Sequence, residues 1–132
     1  MLRKRLMIIC EDVAEVEDIR QVLERMGFDP EVALDPAVAL EVMVERQMSA
    51  VVLDLDSPKK KPYEWVRKLH AAHRNLPIVG LSSKSKKEVT ARIKRYGGRD
   101  VLKKPIEPQE VVKTMEKVLR PPKKRTRRSA SR

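Results

Sequence analysis

The chain has 132 residues, 30 bases against 19 acids, and a formal net charge of +11. That length suits one domain with one core, and with one Trp, two Tyr and one Phe the core must be aliphatic. No apolar run approaches the roughly 18–20 residues of a bilayer-spanning helix, and a lone cysteine excludes an internal disulfide and suits a reducing cytoplasm.

A basic start followed by the apolar run Leu6–Cys10 imitates a signal peptide, but the run is too short and acids follow it. It reads as a buried first strand, closed by Glu11-Asp12. Val13, Val16, Ile19, Leu23 and Met26 recur at helical steps, and Gly27 is placed to end that helix. Residues 31–34 form a short second strand. Asp35-Pro36 opens a second helix whose inner face is Leu40, Met43 and Val44. The unbroken run Ala50–Asp54 is the third strand, and Pro58 forbids its continuation. Tyr63, Val66 and Leu69, with Trp65 nearby, mark a third helix. Residues 77–82 make the fourth strand, in which Gly80 signals close packing of a helix on the sheet. Residues 83–95 read as a strongly basic fourth helix, with Val89, Ile93 and Tyr96 inward. Val101-Leu102 is a fifth strand ended by Lys103-Lys104-Pro105. Glu107-Pro108 opens a last helix with Val111, Val112, Met115, Val118 and Leu119 inward, stopped by Pro121-Pro122.

Strict alternation of strand and helix predicts an α/β fold, a doubly wound five-stranded parallel sheet with five helices on its two faces. The domain is expected over residues 1–120. Residues 121–132 hold six bases and no acid, which leaves 24 bases against 19 acids, or +5, on residues 1–120. Such a tail cannot bury apolar surface and is expected to be disordered, with nucleic acid or an acidic surface as its natural partner.

In a parallel sheet the carboxyl ends of all strands lie on one edge, where ligands bind. Glu11 and Asp12 stand at the end of strand one, Asp54 at the end of strand three, Ser82 at the end of strand four and Lys104 after strand five. Clustered carboxylates favour a hard divalent cation such as Mg²⁺. A carboxylate can attack phosphorus, an ammonium can neutralise the transferred group, and a hydroxyl can donate to it.

This arrangement resembles the receiver domain of two-component response regulators, over about residues 4–120. The resemblance rests on the acids after strand one, Asp54 with Pro58 four residues on, Ser82, and Lys104-Pro105. It implies the flavodoxin-like strand order 2-1-3-4-5, for which the family supplies a standard example. It implies that Asp54 is the phosphoacceptor, that Mg²⁺ is held by Glu11, Asp12, Asp54 and the carbonyl of Asp56, that Ser82 is the switch hydroxyl and that Lys104 senses the phosphate. It also implies a cis Lys104-Pro105 bond. Its partners would be a sensor histidine kinase or phosphotransfer protein and a downstream protein met by the basic fourth-helix and fifth-strand face, with a homodimer left open.

Some residues depart from the family pattern. A gapless register over residues 5–27 puts the family's acidic pair on Cys10 and Glu11; a one-residue shift puts it on Glu11 and Asp12. Val101 stands where many members carry an aromatic switch, Pro62 where a glycine is usual, and Ser83 where an alanine is frequent. The expected function is phosphoryl acceptance on Asp54, without classical enzyme activity, signalled through an altered protein contact. The rival expectations are a phosphorylation-independent docking module and a nucleic-acid binder.

Overall fold

The computed structural model describes residues 3–120, so the expectation for residues 121–132 lies outside the described residues. Five strands alternate with five helices: β1 (Arg5–Ile9), α1 (Val13–Arg25), β2 (Asp29–Ala33), α2 (Pro36–Glu45), β3 (Ala50–Asp54), α3 (Pro62–Ala72), β4 (Ile78–Ser82), α4 (Lys86–Tyr96), β5 (Asp100–Lys103) and α5 (Pro108–Leu119), with a 3-10 turn over Pro58–Lys60. All strand pairs are parallel and the order is β2-β1-β3-β4-β5, the expected flavodoxin-like sheet.

The period-2 alternation of the strands divides the core in two. Met7, Ile9, Val51, Leu53, Ile78 and Val101 face α2, α3 and α4. Leu6, Ile8, Ala50, Val52, Val79 and Leu102 face α1 and α5. Both faces are covered, which is why the strands read as unbroken apolar runs.

Several boundaries and faces differ from expectation. β2 starts earlier than residue 31 and contains Pro30, which an edge strand tolerates because one row of its N–H groups bonds nothing in the sheet. Val13 is 46% exposed, because it opens α1 above the sheet edge and Val22 takes the inner position instead. Val44 is 80% exposed, and α2 buries Pro36, Ala39 and Met43. That helix is apolar on nearly every side, so periodicity could not set its phase. Thr114 joins Val111, Met115 and Val118 in the buried stripe of α5, and Val112 and Leu119 pack against the same core only partly buried.

α4 begins at Lys86 and not at residue 83. The N–H of Ser83 goes to Asp56 and that of Lys84 to Ser82 Oγ, which holds both in the loop, and Ser85, with non-helical ψ 122°, is the N-cap. Close packing at Gly80 is as expected. A Cβ there would lie 2.4 Å from Leu55 and 2.9 Å from Ile93 of α4. Gly27 follows the α1 C-cap with φ +97°, the left-handed conformation glycine adopts freely. Lys104-Pro105 is cis.

Candidate functional site

The register of the sheet assembles the site. Ile9 pairs with Leu53, and Asp54 with Leu81, so Cys10, Asp54 and Ser82 emerge side by side at the carboxyl edge. The Lys104 N–H donates to Ser82 O at 2.8 Å, which brings the lysine stem across from β5.

Asp54 Oδ1 accepts from Lys104 Nζ at 3.0 Å and from the Asp56 N–H at 3.1 Å. Asp54 Oδ2 has a weak partner, the Cys10 thiol at 3.8 Å. Lys104 also bridges to Asp56 Oδ2 at 3.0 Å and to Glu15. Burial opposes the charge on Lys104, but hydrogen bonds to Glu15, Asp54 and Asp56 outweigh it and hold its pKa above the ordinary lysine value. Burial likewise works against ionised Asp56. The Lys104 ammonium and the Ser83 N–H, at 3.1 and 3.2 Å from its two oxygens, prevail and keep its pKa below the usual aspartate range.

Cys10 is 3% exposed. Its burial, opposed by a backbone hydrogen bond at Asp12 and reinforced by the nearby charge of Asp54, pushes the thiol up to about 11, so it is protonated at neutral pH. The Ser82 side chain is buried, and its Oγ accepts from the Lys84 N–H at 3.1 Å. Lys103 Nζ ties down the same loop by donating to the carbonyls of Ser83 and Lys84 at 2.6 and 3.0 Å.

The remaining expected residues are placed differently. Glu11 reaches across the edge to accept from Ser57 Oγ at 3.0 Å. Asp12 is the N-cap of α1 and accepts from the Ala14 N–H at 3.1 Å. Among the described residues, Cys10, Glu15 and Asp54 each bring a donor atom within 4.8 Å of the others. Glu15 was not anticipated. Asp12 and Glu15 have the spacing of a capping box, which would send Glu15 back to the Asp12 N–H. Its carboxylate goes to Lys104 instead.

A cleft of about 20 Å³, the room of a single small guest, is lined by Cys10, Glu11, Asp54 and Ser57 among others. Mg²⁺ needs one or two carboxylates and completes its shell with water and phosphate oxygens. Glu11 and Asp54, which line that cleft, would meet that requirement; the protonated thiol of Cys10 adds neither charge nor a hard donor. The donor set therefore fits a hard cation with one carboxylate fewer than a Cys10-to-acid site would offer.

The family model of the response regulator receiver domain matches residues 6–116. The chain belongs to the response regulator receiver family. Among its relatives, this receiver is 30% identical over 118 residues to the response regulator MprA of Mycobacterium sp. (strain KMS), covering 88% of this chain and 50% of that protein. It is 26% identical over 121 residues to the transcriptional regulatory protein RprY of Bacteroides fragilis, covering 91% of this chain and 51% of that protein. The receiver thus spans about half the length of the curated relatives it matches. Among solved structures, the chemotaxis protein CheY4 of Vibrio cholerae has a TM-score of 0.80 at 20% identity, covering 89% of this chain and 99% of that one. The receiver domain of NtrX from Brucella abortus has a TM-score of 0.79 at 21% identity, covering 86% and 97%. These structural likenesses establish the fold. No helix among the described residues is long and apolar enough to cross a membrane.

Proposed function

We propose that this receiver accepts a phosphoryl group on Asp54 and transmits its state through a protein contact. The observation that carries the reading is the Lys104 ammonium 3.0 Å from Asp54 Oδ1, at the carboxyl edge of the sheet. Asp54 Oδ2, with only the weak thiol contact, is the oxygen that attacks phosphorus. The P–N bond of a kinase phosphohistidine, or the P–O bond of a small acyl phosphate, breaks and the leaving group departs with the electron pair. Lys104 offsets the negative charge brought to the site. Ser82 Oγ accepts from the Lys84 N–H, which leaves its own proton to donate to a phosphoryl oxygen. Glu11, Asp54 and the Asp56 carbonyl would hold Mg²⁺, which would supply further neutralisation of the incoming charge.

The donor follows from the family: a sensor histidine kinase or phosphotransfer protein. For the downstream contact, the α4 face and its neighbour α3 offer the best surface. Tyr63 and Tyr96 lie 5.4 Å apart, Arg92 sits 4.0 Å above Tyr63 and Arg67 4.7 Å above Tyr96. Tyrosine and arginine are the residue types that anchor protein interfaces.

The test is incubation with acetyl phosphate and Mg²⁺ followed by intact-mass measurement. Wild type gains one phosphoryl group, Asp54→Asn gains none, and Lys104→Ala gains it about 100-fold more slowly, as for loss of a preorganised charge donor. A gain that survives Asp54→Asn overturns the assignment. A second reading, a docking module that works without phosphate, is favoured by the thiol of Cys10 where an acid is expected. It predicts no response of the Glu11 and Asp54 amides to millimolar Mg²⁺.

A further inference from the structure

Asp56 lies two residues beyond the acceptor, and its carboxylate faces the acceptor's own surroundings. It accepts the Ser83 N–H on both oxygens, at 3.2 and 3.1 Å, and the Lys104 ammonium on Oδ2 at 3.0 Å. The same ammonium is 3.0 Å from Asp54 Oδ1, and the Asp56 N–H donates to that oxygen at 3.1 Å. One backbone N–H and one partly buried ammonium, aimed at a single point beside a nucleophilic carboxylate, form an anion seat. A phosphoryl group on Asp54 is a dianion that needs donors of this kind. Here a side chain of the chain itself already fills them.

We propose that Asp56 is a built-in occupant of the phosphoryl seat, which phosphorylation of Asp54 must expel. This inference rests on the reading of Asp54 as phosphoacceptor. Expulsion breaks the contacts of Asp56 with Ser83 and Lys104 and hands both donors to the phosphoryl oxygens. Asp56 is then left as an uncompensated anion beside the transferred group, so the phosphorylated state is penalised twice, by competition and by like-charge repulsion. The exchange also unties the loop after β3 from the loop after β4, because Asp56–Ser83 is a side-chain link between them. Asp56 therefore sets both how much of the receiver carries phosphate and how far the α4-side loop moves when it does.

A purely structural staple makes the opposite prediction. If Asp56 only holds two loops together, its removal loosens the site and lowers phosphorylation. The seat-occupant role predicts a gain on removal. Neither Asp56→Asn nor Asp56→Ala alters the backbone carbonyl assigned to Mg²⁺.

The experiment compares wild type, Asp56→Asn, Asp56→Ala and Asp54→Asn, each incubated with acetyl phosphate and Mg²⁺ to steady state and read by intact mass. Thermal unfolding of each variant verifies that it is folded. The expected ratio of phosphorylated to unphosphorylated chain is about tenfold higher in Asp56→Ala than in wild type, the worth of one displaced charge-assisted hydrogen bond. Asp56→Asn, which loses the charge but still accepts from Ser83, falls between them. If wild type and both Asp56 variants label equally while Asp54→Asn stays unlabelled, the acceptor assignment stands and the seat-occupant role is overturned. A lower ratio in the folded variants overturns it in favour of the staple. If no chain labels, both the acceptor assignment and the seat-occupant role fall.

Discussion

Cys10 illustrates how one side chain sets the strength of a site. It lies against Asp54 Oδ2 with its thiol protonated, so it contributes a weak donor where a carboxylate would contribute a charge and a ligand. Cys10→Asp is expected to tighten Mg²⁺ binding about tenfold, since each added carboxylate strengthens a hard-cation site; isothermal titration of the two proteins measures it, and unchanged affinity removes Cys10 from the metal argument. The thiol itself gives a pH test. With its pKa pushed up to about 11, the thiolate is scarce at pH 8 and grows as pH rises, so iodoacetamide alkylation is slow at pH 8 and accelerates toward pH 11. Asp54→Asn removes a like charge that raises the pKa, so alkylation at pH 8 is expected to quicken roughly threefold. Asp54, Ser82 and Lys104 were legible as a group because each stands at, or one residue past, the carboxyl end of a strand. Glu15 was not, because a helical acid one turn past a cap ordinarily reports on that cap.

At the scale of elements, the packing of α4 on β4 depends on Gly80. A methyl group at that position meets Leu55 and Ile93 at 2.4 and 2.9 Å, so Gly80→Ala forces both side chains aside. The expected cost is about 1–3 kcal/mol of stability, read as a lower urea midpoint with unchanged slope. A neutral outcome means that Leu55 and Ile93 rotate away freely. The element pattern itself was legible where an apolar stripe had a polar counterpart, as in α1 and α5. It failed in α2, where the sequence offers apolar residues on every side and only contact with the sheet selects Ala39 and Met43 over Val44. It failed again at the start of α4, where contacts to Asp56 and Ser82 hold residues 83 and 84 as a loop and the non-helical backbone of Ser85, with ψ 122°, delays the first turn.

For the whole molecule, charge is the dominant property. About half of the +11 belongs to residues 121–132, and α4 carries Lys86, Lys87, Arg92, Lys94 and Arg95 on the rest. If the tail engages duplex DNA, deleting residues 121–132 weakens binding and lowers the slope of log affinity against log salt by up to about 5, for six lost phosphate contacts. An unchanged slope assigns any such binding to the α4 face. Alternation alone predicted a parallel, doubly wound sheet, because parallel strands need crossovers and crossovers have one hand, and the resemblance to the receiver family supplied the order of its strands. The convergence of Asp54, Ser82 and Lys104 followed from that order. The pairing of Asp56 with Ser83 across 27 residues, and of Glu15 with Lys104 across 89, was decided only by the folded chain. Periodicity reports which side of an element faces the core. It carries no information on which loop side chains meet above the sheet edge, since that depends on how far each strand advances past its neighbour and on which N–H groups its loop leaves unpaired.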